Sequence, residues 1–375
     1  ISACLVGSEM CIRDSVYEYF IGEFANSEGK RGGEYFTPVS IVKTLVGMLE
    51  PTEGTVFDPC CGSGGMFVQS DIFTQHSHRL SFVGQESKDF TYRLCRMNLF
   101  IHGIDGSIEL GSSYANDKHP QLRADYILAN PPFNDGAKSR EGWGAEKVPA
   151  KDPRLVVGTE RMALSPRNAN TMWILHFLHH LKDGGTAGFV MASGELGSRE
   201  GGRLAVRTAL VEADVVDCVV QLSGQLFSNT QIPCALWFLA KNRSGGHGFR
   251  KRKDEILFID GRSLGTLIPG SRKQKQLSED EIERISAVYR KFKRSERPAD
   301  EPGFCAVKSR EIIRTTRFAL SPGRYVANAE DDFDDEPFDE RFPRLSKAVV
   351  KSIAEGQVLD KEIEESLKRI TDGLL

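Results

Sequence analysis

From Thr55 onward, short runs of β-branched and apolar residues alternate with longer stretches whose apolar positions recur three or four apart. The short runs predict strands at Thr55–Phe57, Ser81–Gly84, Ser107–Leu110, Tyr126–Ala129, Thr186–Met191, Val215–Gln221 and Ala235–Ala240. The longer stretches predict helices over Gly65–Thr74, Lys88–His102, Thr171–Leu181 and Arg199–Val211. Strands and helices in strict alternation predict an α/β fold, a mostly parallel, doubly wound sheet with helices on both faces. Before the first strand, Val39–Leu49 is expected to be a helix, with Thr37 as its N-cap and Pro38 as its first residue.

Two segments interrupt the alternation. Residues 134–170 are charged and rich in Gly and Pro, and a loop of that length in a compact domain is usually functional or disordered. After Lys241 come a basic stretch, Arg250–Lys253, a short strand, Glu255–Ile259, and a helix, Glu279–Lys293, expected to form an appendage. The basic stretch reads as a solvated face or, alternatively, as a phosphate contact. Acidic residues crowd Glu330–Glu340, a linker to a last helix with Leu359, Ile363, Leu367, Ile370 and Leu374 on one stripe. The stripe must bury against its own core or a partner helix. The opening stretch, 1–15, has no clear period and is read as a non-native leader, which places the true N-terminus outside this sequence. The expected divisions are thus 1–15 leader, 16–50 helical lead-in, 51–242 catalytic domain, 243–329 accessory α/β appendage, and 330–375 acidic linker with a partner-binding helix.

A formal net charge of −3 means that no overall basic field marks a nucleic-acid binder, so any DNA affinity must come from a local patch or a partner. The eight cysteines show no CxxC pair and no zinc spacing, which predicts reduced thiols and no metal. No apolar run is long enough to span a bilayer, so a cytoplasmic protein without membrane contact is expected.

Three places carry chemistry. Asp58-Pro59-Cys60-Cys61-Gly62-Ser63-Gly64-Gly65 follows the first strand and opens a helix. Its glycines permit a tight turn and a close backbone approach, while Asp58 would repel phosphate and receive an ammonium or a water. A cofactor with a cationic amino-acid end fits that turn; a tight turn without ligand is the alternative. Glu86 ends the second strand, where one carboxylate can accept both hydroxyls of a ribose, or simply be solvated. Asn130-Pro131-Pro132-Phe133 follows the fourth strand directly. Two prolines stiffen this turn and strip it of N–H donors, leaving a surface rich in acceptors. An aryl amine is a poor nucleophile because its lone pair is delocalised. Hydrogen bonds from its N–H groups to the Asn130 side chain and the Pro131 carbonyl would free that lone pair, and Phe133 can stack on the ring.

Gly33-Glu34-Tyr35-Phe36-Thr37-Pro38, the glycine turn, Asn130–Phe133, Gln225-Leu226-Phe227 and Gln231-Ile232-Pro233, in that order, resemble the modification (M) subunit of type I restriction-modification systems. The resemblance implies a seven-stranded Rossmann-like S-adenosylmethionine-dependent sheet with a C-terminal helical extension, and methylation of the exocyclic amino group of adenine in DNA. It further implies a DNA-reading specificity subunit, two modification subunits to each, and a restriction subunit. Phe36 and Thr37 would lie beside the methionine part of the cofactor, Asp58 and Gly62 around its amino-acid end, and Glu86 on the ribose. Tyr35, Cys60 and Gly64 join this cofactor set through their motifs. Asn130, Pro131, Pro132 and Phe133 would meet the target base. One departure stands out: the family usually carries Gly-Asp after the third strand, whereas this chain has Gly111-Ser112-Ser113, so Ser112 is expected to make one hydrogen bond and to leave cofactor affinity weakened rather than abolished. Residues 155–168 also match the family less closely. The same motif logic serves methylation of protein glutamine or RNA guanine, and a non-catalytic scaffold is the reading from another class. A cytosine-ring enzyme would need a thiolate after proline; Pro59-Cys60 supplies the pair, but inside the glycine turn.

Overall fold

Every apolar run becomes a strand. β1 (Gly54–Asp58), β2 (Leu80–Glu86), β3 (Gly106–Leu110), β4 (Ala124–Ala129), β5 (Leu181–Ala192), β6 (Val216–Leu222) and β7 (Cys234–Ala240) cover the expected seven. The computed structural model describes residues 37–136, 143–228, 231–246, 248–271 and 273–326, with scattered positions between 346 and 363. Two further strands, β8 (Glu255–Gly261) and β9 (Cys305–Ser309), join the others in one nine-stranded sheet of order β9-β8-β6-β7-β5-β4-β1-β2-β3. The segment expected as an appendage therefore extends the main sheet. β6 and β8 pair in parallel, and β9 closes that edge antiparallel.

β1 pairs in parallel with both β2 and β4, β2 with β3, and β4 with β5. The chain leaves β1 toward β2 and β3, then returns to its other side for β4 and β5. This reversal puts a topological switch point between β1 and β4, with the carboxyl ends of β1, β2 and β4 on one edge. β7 enters antiparallel between β5 and β6. All its residues are buried, as expected of a strand covered on both faces.

On one face lie α1 (Val39–Leu49), α2 (Gly65–Phe73), α3 (Asp89–Ile101) and α6 (Glu279–Arg294), sharing a core through Ile41, Leu45, Phe67, Leu99, Ile285 and Phe292. On the other lie α4 (Asn170–His180), α5 (Arg203–Glu212) and α7 (Arg310–Thr315), through Trp173, Phe177, Leu210 and Ile313. α6 starts with a capping box, the Ser278 side chain on the Glu281 N–H and the Glu281 side chain on the Ser278 N–H. Its Lys293 ammonium donates to the Met48 and Leu49 carbonyls at 2.7 and 3.0 Å, closing the C-terminus of α1. The helix that leads into the first strand is thereby fastened to the last helix of this face.

The basic stretch is divided. Arg252 is buried, gripping Asp217 through Nε at 2.8 Å and Nη2 at 3.0 Å, and Arg250 bonds Glu255 at 2.8 Å. Burial alone would raise the Asp217 pKa, but Arg252 and Arg243 hold it below the ordinary value. Neither arginine is a solvated or phosphate-facing group; the exposed cations of the stretch are Lys251 and Lys253.

Residues 1–327 and 328–375 form separate compact units. In the second, the described positions between 346 and 363 are helical, and Val349, Val350, Ile353, Leu359 and Ile363 are exposed. Leu367, Ile370 and Leu374 of the expected stripe, the linker 330–340 and the leader 1–15 lie outside the described residues. No helix among the described residues is long and apolar enough to cross a membrane.

Candidate active site

β1 delivers Asp58 to the switch point and the chain turns at once. Gly62 (φ 54°) and Gly64 (φ 83°) take left-handed conformations that side chains resist, and Gly64 then begins α2 as its N-cap. The turn closes with the Gly64 N–H on the Cys61 carbonyl at 2.8 Å, and the Asn98 amide of α3 holds the Ser63 carbonyl at 2.8 Å. A Cβ on Gly62 would meet nothing within 4 Å among the described residues.

Two carboxylates face the turn. Asp58 Oδ1 accepts the Cys60 N–H at 3.0 Å. Glu86, at the end of β2, accepts the Gly62 N–H on Oε2 at 3.0 Å and the Lys88 N–H on Oε1 at 2.9 Å. Both acids are buried. Burial pushes the Asp58 carboxyl up to about 7, with the negative Glu86 adding and the Cys60 hydrogen bonds opposing. A buried acid with no cation beside it among the described residues is an electrostatic complement to an ammonium group. Cys60 lies between the two motifs, hydrogen-bonded to the Asp58 side chain and the Asn130 backbone. Burial, then the negative Asp58 and Glu86, push its thiol well above the ordinary value. It is not the thiolate that ring-carbon methylation requires.

Ser112 follows β3, and its Oγ is buried with no hydrogen-bond partner among the described residues. Its loop is shaped by buried Gln85, whose amide donates to the Gly111 and Asn116 carbonyls at 3.0 and 2.9 Å and accepts the Lys118 N–H at 3.0 Å. Ser113 donates to the Pro59 carbonyl at 2.5 Å, tying that loop to the glycine turn.

Asn130 emerges from β4 across the switch point from Asp58. Its Nδ2 donates to Thr37 Oγ1 at 2.9 Å, while its Oδ1 is buried without a partner among the described residues. Thr37 thus does not cap α1 as expected: Pro38 occupies the N-cap, with no side-chain cap bond. The hydroxyl is claimed by a residue far away in sequence. Phe133 stands edge-on to Phe227 with ring centroids 5.9 Å apart, which brings the Gln225–Phe227 motif to the Asn130–Phe133 turn. Tyr35 and Phe36 lie outside the described residues.

Behind the turn is a clamp that no motif announces. Asn134 takes φ 55°, its N–H donates to Asn170 Oδ1 at 2.9 Å, and Asn170 Nδ2 donates back to Asn134 Oδ1 at 2.9 Å. Asn170 also donates to Glu195 Oε1 at 2.7 Å, which Arg203 meets at 2.8 Å. The described part of the loop after Asn134 is packed, with Trp143, Val148 and Leu155 buried. Under it Asp117, His176 and His180 present ligand atoms within 4.8 Å of one another. Arg154 donates to His176 Nδ1 at 3.1 Å, however, so Nε2 carries the proton and cannot bind a metal. Burial, with His180 and Arg154 beside it, pushes His176 well below its ordinary value, and the ring is neutral.

A glycine turn with buried acids, set beside an acceptor-rich turn across a switch point, defines a methyltransferase of the doubly wound class. Residues 12–334 match the N-6 DNA Methylase family, and the chain belongs to it. It is 38% identical to the HindI methylase subunit of a type I restriction enzyme from Haemophilus influenzae, over 94% of this chain and 76% of that protein. It is also 38% identical to the MjaIX methylase subunit of Methanocaldococcus jannaschii, over 96% of this chain and 64% of that protein. The methyltransferase subunit of a type I restriction-modification system from Streptococcus thermophilus superposes with a TM-score of 0.70 at 26% identity, covering 84% of this chain and 63% of the other. The chain thus spans less than two thirds of some of the proteins it matches.

Proposed function

We propose that the chain transfers a methyl group from S-adenosylmethionine to the exocyclic amino nitrogen of adenine in DNA, as the modification subunit of a type I restriction-modification complex. The observation that carries this reading is the Asn130 amide, its nitrogen end bound to Thr37 and its oxygen end unsatisfied beside an acid-lined glycine turn. The residues fit the cofactor. Buried Asp58 complements its ammonium, the Glu86 carboxylate at the end of β2 is placed for a ribose diol, and the Ser112 hydroxyl, without a hydrogen-bond partner among the described residues, suits one polar contact. When bound, it supplies an electrophilic methyl group on a sulfonium centre.

The protein's own residues prepare the amine. Asn130 Oδ1 and the Pro131 carbonyl accept its two N–H bonds, which favours a pyramidal nitrogen with a freed lone pair. Phe133, braced by Phe227, stacks on an extruded base. With a net charge of −3, site recognition falls to a specificity subunit, with two modification subunits to each and a restriction subunit for cleavage. The test is Asn130→Ala in the protein co-expressed with its specificity subunit. Loss of an acceptor used mainly in the transition state costs about 3 kcal/mol, by analogy with one oxyanion-hole donor. Methylation of adenine should fall accordingly with cofactor affinity near wild type; a variant that keeps most of its rate refutes the assignment.

A further inference from the structure

We propose that Thr37 is a positioning residue for Asn130, its hydroxyl oxygen holding the amide nitrogen while the amide oxygen faces the target. The inference rests on the function proposed above and adds a role for Thr37 distinct from contact with the cofactor. A side-chain amide is planar and nearly symmetric in shape, so packing alone barely distinguishes its oxygen from its nitrogen. The two ends are opposite in chemistry. With oxygen toward an incoming amine, Asn130 accepts an N–H; with nitrogen toward it, donor would face donor.

An incoming amine brings only N–H donors, so Oδ1 must face it and Nδ2 needs an acceptor behind; Thr37 Oγ1 is that acceptor at 2.9 Å, and Oδ1 is left without a partner among the described residues. The hydroxyl can perform this task because it sits on a rigid support. Pro38 follows at φ −56°, and its carbonyl accepts the Ile41 and Val42 N–H groups at 2.9 and 3.1 Å to start α1. α1 buries Ile41, Leu45 and Met48 completely, and Lys293 closes its other end. Among the described residues the Thr37 hydroxyl is bonded to Asn130 and to no N–H of the helix.

Thr37→Val keeps the branched shape and removes the acceptor; Thr37→Ser keeps the hydroxyl. In the complex with the specificity subunit, Thr37→Val should lower the single-turnover methylation rate by ~10- to 100-fold, the scale of a misplaced reacting group. Cofactor Kd, measured by calorimetry, should stay within about twofold of wild type, and Thr37→Ser should recover most of the rate. In an Asn130→Ala background, Thr37→Val should cost nothing further, because the two act as one unit. The proposal is overturned if Thr37→Val weakens cofactor binding at an unchanged rate, or if its effect on the rate persists without Asn130. Absence of adenine methylation by the wild-type complex would instead overturn the function proposed above.

Discussion

Asp58 shows at the scale of one residue what a binding site costs. Its carboxyl is raised from 3.8 to about 7 in the folded protein, chiefly by burial. A folded value above the unfolded one means that the associated stability is complete below pH 3.8 and is lost as pH rises through about 7. At neutral pH the ligand-free protein thus gives up stability of order 4 kcal/mol. An ammonium beside the ionised carboxylate offsets that cost, so cofactor binding should release about one proton at pH 6. Affinity should rise about tenfold per pH unit up to about 7, then weaken above about 8 as the cofactor's own ammonium deprotonates. Calorimetry in buffers of different ionisation enthalpy checks this; affinity independent of pH between about 5.5 and 7 would contradict it. Asp58→Asn should remove the proton release and stabilise the ligand-free protein. The positions of Asp58, Glu86 and Asn130 at the ends of strands were legible in sequence, because each closes an apolar run and two of them lead into a turn marked by glycines or prolines. Gln85, Asn170 and Glu195 were not, because a polar residue announces no partner when that partner lies tens of residues away.

At the scale of the element, the turn after β4 is held at both ends. Thr37, just before α1, takes its first residue, and Asn170, the first residue of α4, takes its last through Asn134. The left-handed Asn134 would relax if its partner were lost. Asn170→Ala leaves the Asn134 N–H and the buried Glu195 carboxylate short of a partner, at about 1–3 kcal/mol for each group left unsatisfied. Denaturant unfolding should report that loss. Methyl transfer should fall while cofactor affinity holds, because the glycine turn belongs to other elements; a variant equally stable and equally active would show that the clamp is idle. The helix periods located α1 to α6 closely. The expected Thr37 cap failed because capping preference is local, while the hydroxyl was taken by Asn130, the residue just after β4.

At the scale of the whole molecule, Asp217 ties the edge of the sheet together. It receives Arg243 from beyond β7, Arg252 from before β8 and the Tyr289 hydroxyl of α6 at 2.8 Å, all buried. Asp217→Asn would leave two buried guanidinium groups facing a neutral partner, and breaking such a pair costs about 3–5 kcal/mol. Because its folded pKa lies below the ordinary value, the cluster's stability is present above pH 3.8 and is lost as pH falls through the folded value. The expected outcome is a lower denaturation midpoint at neutral pH with the acid-dependent part reduced; an unchanged midpoint would mean that the sheet edge does not depend on the cluster. The sequence by itself determined the alternation of strands and helices, the two rigid turns and the residue types in them, since apolar period and backbone restriction by Gly and Pro act within a few residues. Only the tertiary structure decided that β8 and β9 extend the main sheet, that Arg252 is buried, and that Thr37 faces Asn130 rather than its own helix. Those facts depend on where distant segments meet, and pairing across a sheet or between side chains far apart in the chain leaves no period in the sequence to read.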